Sequence, residues 1–277
     1  MIFDRQQFET ALQEVQKKLS LAGELKESRQ PQGMPLYIFD TLPSTNQILW
    51  DLLSQGATAG TVVIAAQQTA GRGQWGRQWQ STLGGLYLSV AFTPYLQVSN
   101  SAQLTLCSAW GIARALRVYD IPVFLKWPND LLVKGRKLGG ILTETRVQQS
   151  QITKAVVGVG INWSNGVPET GITLQSFCEE QLSLSITSLE MLAAIVLQGL
   201  HFGYQRWSEQ GIESLLSSYL ELLDNLGSHV MVDGKPGMIT GVTPTGELRV
   251  CLNSLNSTEI ASEICLKPGT ISLGYRR

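Results

Sequence analysis

The apolar positions of this chain change period as it runs. Phe8, Leu12, Val15 and Leu19 recur at three- and four-residue steps and predict one amphipathic helix, ending before a linker over residues 31–35. Residues 36–39 read as a strand that leads into a second helix with Ile48, Leu49, Leu52 and Leu53 as its buried stripe and Gly56 at its end. Ser44 stands at that helix start with Gln47 three residues on, the capping-box arrangement; Ser44, Thr45 and Asn46 are equally placed to line a polar pocket wall. Strands are predicted over 61–66, 86–92, 123–127 and 155–161, with a hairpin pairing 131–133 with 137–144 about Lys134-Gly135. Helices are predicted over 101–118, from Thr187 with Glu190 to about Trp207, and over 212–223, and residues 164–171 form a polar loop. From Gly227 the texture shortens to strands at 230–232, 238–242, 248–252 and 270–273 separated by turns, which predicts a small antiparallel barrel. The expected fold class is α+β: a central mixed sheet flanked by helices, with that barrel behind it. The expected domains are a helix and linker over 1–34, a catalytic unit over 35–225 and the barrel over 226–277.

Composition narrows the function classes. The 277 residues carry 21 basic and 22 acidic side chains, a net charge of −1, without the basic excess of a nucleic-acid binder. A single N-terminal helix is also too short for a DNA-reading unit, so the chain is not expected to be a repressor. Cys107, Cys178, Cys251 and Cys265 are widely separated, giving neither a zinc cluster nor a disulfide framework. No signal peptide is recognisable and no apolar run approaches the roughly 18 residues of a membrane span. The expected compartment is the cytoplasm.

The chemistry concentrates in Gly71-Arg72-Gly73-Gln74-Trp75-Gly76-Arg77-Gln78-Trp79, where three glycines, two guanidiniums and two indoles occupy nine residues. Glycine lets backbone approach a ligand, arginine offers planar forked donors and tryptophan excludes water, so the loop reads as a clamp for an anion. Residues 52–119 contain no Asp or Glu and include Arg72, Arg77, Arg114 and Arg117. The glycines also fit Gly-x-Gly-x-x-Gly, but no helix follows and no acid occurs before Asp120, so a dinucleotide site is rejected. A glycine-rich surface hairpin with incidental arginines stays open. A second concentration, Lys126-Trp127-Pro128-Asn129-Asp130, puts a lysine on a largely apolar strand, where it needs an anion to offset burial; a solvated lysine beside ordinary turn residues is the alternative.

Taken in order, Ser44-Thr45-Asn46, Gln68 with Gly71-Arg72-Gly73 and Gly76-Arg77-x-Trp79, Lys126-Trp127-Pro128-Asn129-Asp130, Lys137-x-Gly139-Gly140-Ile141-Leu142 and Gly160-Ile161-Asn162 resemble the biotin protein ligases, over about residues 36–163. The resemblance implies a two-step reaction in which biotin and ATP, with magnesium, form biotinyl-adenylate, and a lysine of a biotin carboxyl carrier domain of acetyl-CoA carboxylase or a related enzyme takes the biotinyl group. It implies that Ser44, Thr45 and Gln68, with Asn46, hold the ureido ring, and that Arg72 and Lys137 meet the biotin carboxylate with Gly71, Gly73, Gln74 and Gly139 close by. Lys126 is implied to stabilise the transferring phosphoryl group, making Lys126, Arg72 and Lys137 the catalytic set. Arg77, Trp79, Asn129 and Asn162 are implied on the adenylate side, with Trp163 as a further wall. Asp130 is offered two roles, magnesium ligand or orienter of Lys126. Gln74 and Trp75 stand where many members carry further arginines, and members differ in whether they form homodimers. Lipoate or octanoate ligases share the fold and are the nearest alternative; a biotin- or nucleotide-binding sensor without turnover is an alternative of another class.

Overall fold

The computed structural model describes residues 3–23, 34–181, 185–252 and 262–275. Its large sheet uses β1 (Leu36–Leu42), β2 (Val62–Gln68), β3 (Gly85–Phe92), β4 (Leu96–Gln97), β5 (Phe124–Lys126), β6 (Asp130–Val133), β7 (Arg136–Gln148) and β8 (Gln151–Asn162). The order is β1-β2-β3-β8-β7-β6-β5, with β4 paired to β8. β1 and β2 are parallel and the other pairs antiparallel, so the sheet is mixed. Every residue of β3 is buried, as a central strand covered on both faces must be.

Two helices, α3 (Ala102–Arg117) and α5 (Leu189–Glu221), lie in the main core on one face with α1 (Arg5–Leu21) packed outside α5. The two inner helices meet backbone to backbone. A Cβ at Gly111 would strike the Gly199 carbonyl, and one at Gly203 would strike the Cys107 carbonyl. α3 also carries polar ties outward: Gln103 accepts from the Trp207 indole at 2.9 Å and donates to the Pro244 carbonyl at 2.9 Å, and the Thr105 hydroxyl donates to that of Thr143 at 2.8 Å.

The other face is covered only in part. α2 (Thr45–Ser54) packs Leu49 and Leu53 with Leu42, Val63, Ala65, Ala91 and Val156 in a small separate core. Beside it, β8 presents Gly158 and Gly160 on the same face, two residues apart, where side chains would fill the space. The uncovered part of this face is the cavity.

Several elements depart from the sequence reading. Ser44 is the residue before α2, but its hydroxyl makes no capping bond and Gln47 is exposed, so the capping box is not formed. α5 starts after Ser188, whose hydroxyl accepts from the Met191 amide at 3.1 Å, one residue later than expected. The two helices predicted within it are present, meeting at a kink at Gly211, where φ is 76°. A short α4 (Leu174–Glu180), capped by Thr173, follows the polar loop and was not foreseen. The C-terminal strands β9 (His229–Val232), β10 (Lys235–Val242), β11 (Leu248–Leu252) and β12 (Ser262–Leu266) form an antiparallel sheet in the order β12-β11-β10-β9. Among the described residues that path does not close into a barrel. Residues 270–273 are not a strand: the turn that returns the Thr270 amide to the Lys267 carbonyl at 3.2 Å ends the pairing, and the chain then runs into the cavity.

Candidate active site

The cavity has a volume of about 430 Å³, within the range of small-molecule sites, and spans the large sheet and the C-terminal segment. One end is neutral and tightly bonded. The Thr45 amide donates to Gln68 Oε1 at 2.8 Å, and Gln68 Nε2 donates to the Ser81 hydroxyl at 2.8 Å. Ser89, fully buried on β3, lies 2.7 Å from the Thr45 hydroxyl and 2.6 Å from Asn46 Oδ1. The Asn46 amide donates to Glu144 Oε2 at 2.8 Å and to the Leu142 carbonyl at 3.3 Å. Ser44, Thr45 and Asn46 are buried because α2 starts directly over the glycine strip of β8; a Cβ at Gly158 would strike the Asn46 carboxamide. The Ser44 hydroxyl, released from capping, belongs to this wall.

The other end is cationic. Arg72, Arg77, Lys126 and Lys137 all line it, with Asp130 among them. Lys126, 7% exposed at the end of β5, lies 3.5 Å from Asp130 Oδ2, while Lys137 is 2.5 Å from Oδ1. Burial holds the Lys126 ammonium below its ordinary pKa, and Lys137 and Arg77 push the same way while Asp130 opposes them. Asp130 is therefore the counter-ion for two lysines. The space beside it is prepared for negative charge, since Lys126, Lys137 and Arg77 gather around one carboxylate while Arg72 pairs with Glu144.

Over this end folds the loop of residues 71–79. It is a hairpin, with Arg72 bridged to Gln78, the Gly73 amide donating to the Arg77 carbonyl at 2.7 Å and a tight turn over Gln74–Gly76. Trp75 sits at its tip with φ of 54° and is 53% exposed. The surface-hairpin alternative is thus right about the shape and wrong about the arginines, which face the cavity. Trp79 lies on Gly160 with its indole N–H buried and without an acceptor among the described residues, and Lys137 stands 5.2 Å from its ring.

The biotin/lipoate A/B protein ligase family matches residues 38–162, the segment holding these motifs. That segment is a domain of this family. The bifunctional ligase/repressor BirA of Bacillus subtilis is 35% identical over 149 residues, 50% of this chain and 46% of that protein. The biotin–[acetyl-CoA-carboxylase] ligase of Mycobacterium tuberculosis is 29% identical over 238 residues, covering 80% of this chain and 86% of its own. The solved biotin protein ligase of Aquifex aeolicus in complex with biotin and ATP aligns with a TM-score of 0.69 at 26% identity, covering 87% of this chain and 99% of that one. The match spans about half the length of the Bacillus ligase/repressor. No described helix of this chain is long and apolar enough to cross a membrane.

Not every expected residue reaches the cavity of this biotin/lipoate ligase relative. Gly71 and Gly139 do not line it; they permit close approach, since a Cβ at Gly71 would strike the Trp79 carbonyl and one at Gly139 would lie 2.6 Å from the Gly160 carbonyl. Asn162 is turned away, donating to the Lys137 carbonyl at 3.3 Å and accepting from Asn165 at 3.1 Å. Asn129 lines the cavity, but its amide is committed to the Ile141 carbonyl at 2.8 Å. Trp163 packs against the core and is absent from the lining. Arg72 is held by Glu144 at 3.1 Å, not by Lys137's neighbour Asp130.

Asp130 does not fit a divalent cation in this arrangement. Both its oxygens are occupied, one by Lys137 and the other by Lys126 and the Tyr275 hydroxyl, and no group of three or more candidate ligands gathers among the described residues. Of its two offered roles, the geometry fits orienting Lys126. Ser89, Glu144 and Tyr275 hold lining residues from behind the cavity wall, and sequence reasoning missed all three. Ser89 read as an ordinary strand residue, Glu144 as the end of a hairpin, and Tyr275 lies 145 positions from the aspartate it touches.

Proposed function

We propose that this chain is a biotin protein ligase, activating biotin with ATP and passing the biotinyl group to a lysine of a biotin carboxyl carrier domain of acetyl-CoA carboxylase or a related enzyme. The observation that carries the reading is the division of the cavity into a neutral hydrogen-bonding wall and a cationic end. A ureido ring offers neutral donors and an acceptor, which suit the hydroxyls and amides of Ser44, Thr45, Asn46 and Gln68. The dithiolane head of lipoate offers no donor or acceptor to engage this wall, which disfavours the lipoate ligase reading.

In the first step a biotin carboxylate oxygen attacks the α-phosphorus of ATP, the bond to the β-phosphate bridging oxygen breaks, and pyrophosphate leaves. The reactants repel, and Arg72, Lys126 and Lys137 would reduce that repulsion in a site of lowered dielectric. Arg72 exchanges Glu144 for the ligand anion, and Lys126 turns from Asp130 toward the phosphoryl oxygens. Arg77, Gln74 and the Trp79 indole close the lid side and keep water from the mixed anhydride. Magnesium would enter as the counter-ion of the triphosphate, with phosphate oxygens as its ligands. In the second step the carrier lysine amine attacks the acyl carbon, AMP departs, an amide forms and the amine gives up its proton.

Biotin-dependent exchange of labelled pyrophosphate into ATP tests the first step, and transfer of labelled biotin to a carrier domain tests the second. Folded protein that is silent in the exchange assay would end this reading. Exchange with lipoate but not with biotin would move it to the lipoate branch, and exchange without transfer would favour a sensor.

A further inference from the structure

We propose that Tyr275 is a positioning residue of the nucleotide half of this cavity, so that the C-terminal segment helps aim the cations that meet phosphate. The inference rests on the reading of the site given above. The Tyr275 hydroxyl donates to Asp130 Oδ2 at 2.6 Å, and the Lys126 ammonium stands 3.6 Å from the centroid of the same ring. One phenol thus touches both members of the Lys126–Asp130 pair, and Lys137 holds the aspartate from its other oxygen.

The segment reaches this point for identifiable reasons. Ile271 and Leu273 pack on the main core while residues 269–273 line the cavity. A Cβ at Gly269 would come within 2.8 Å of the Trp75 indole, so the missing side chain lets the lid tip rest on the tail. Trp75 stands where other family members were expected to carry an arginine, and here it ties the lid to the C-terminal segment. The half-buried Tyr275 hydroxyl has its pKa raised by burial, by the charge of Asp130 and by their hydrogen bond, so it stays a donor at neutral pH.

The chemistry gives this contact a purpose. Lysine is a compact charge on a flexible stem, and a carboxylate partner that orients it also cancels it. An aromatic face attracts the ammonium without neutralising it. When a triphosphate draws Lys126 from Asp130, the ring keeps the ammonium in place while the hydroxyl keeps the carboxylate from following.

The test uses the full chain with Tyr275→Phe, which keeps the ring and removes the hydroxyl, and Tyr275→Leu, which removes both. Affinity for a non-hydrolysable ATP analogue and for biotin is measured by calorimetry, and KM for ATP and kcat by pyrophosphate exchange. Tyr275→Leu is expected to weaken analogue binding and raise KM for ATP about tenfold, and Tyr275→Phe about threefold, with biotin affinity within about twofold of the parent. Parental analogue affinity and KM in Tyr275→Leu would overturn the proposal. So would biotin affinity falling in step with ATP in both variants, which marks a structural role only. Should the parent protein show no biotin-dependent exchange, the ligase reading fails, and the analogue affinities still decide the role of Tyr275.

Discussion

Ser89, Thr45, Asn46 and Gln68 are tied to one another by hydrogen bonds inside a buried wall, whereas Arg72, Lys126 and Lys137 rest on carboxylates that a ligand anion has to replace. The contrast follows from the cost of burial. A neutral hydroxyl or amide is satisfied by a neighbour and can wait, already oriented, for a neutral ligand group. A cation cannot wait unpaired in a closed site, so Asp130 and Glu144 serve as provisional partners. One half of the cavity is therefore preorganised, and the other is held ready by ion pairs that reorganise on binding.

This contrast can be broken from either side, and the largest effect is expected at the cationic end. Lys126→Ala should slow pyrophosphate exchange by about 10²–10³-fold while biotin affinity changes little, because a missing cation leaves developing charge unscreened. Near-normal exchange would remove Lys126 from the reaction. Two alanines on one strand should separate the halves. Gly158→Ala pushes on Asn46 and should weaken biotin binding by about tenfold or more, while Gly160→Ala pushes on Trp79 and should weaken adenylate retention instead. Identical defects in both variants would mean that the halves are not independent.

Gln68→Ala takes the acceptor from the Thr45 amide and should raise the biotin dissociation constant about tenfold, with kcat at saturating biotin unchanged. Unaltered affinity would mean that the wall tolerates the loss. The smallest effect concerns the lid. Glu144→Gln removes the charge that holds Arg72, whose side chain is 44% exposed, and a pair that solvated should contribute no more than about 1 kcal/mol. Amides of residues 71–79 should then exchange a few-fold faster without ligand and at the parental rate with biotin and ATP bound. Equal protection in both proteins would show that Glu144 does not hold the lid.

The fold's periodic elements were legible because apolar spacing reports directly on which face is buried: the stripes of α1 and α2 and the hairpin of β6 and β7 sit where the sequence put them. The site's local runs were legible too, since glycines, arginines and Lys126 lie close in sequence within each loop. What escaped was contributed across distance. Tyr275 follows residues 270–273, whose apolar alternation resembles a strand, yet a turn after Pro268 sends them into a cavity and leaves them no partner strand. Ser44 satisfied a local capping pattern, but the residue is buried in the cavity wall without a capping bond, which no local pattern reports. Asn162 was expected on the ligand side because the family resemblance implies it, and its bond to the Lys137 carbonyl turns it the other way.

The glycines at 111, 199 and 203 lie on the side of the sheet away from any ligand, yet they let two helix backbones touch. A single added methyl there would wedge α3 from α5, and α3 is bonded to β7 through Thr105 and to the C-terminal sheet through Gln103. Displacement would be passed to both structures that frame the cavity. Mutational tolerance in this protein should accordingly be as low in its foundations as around its cavity.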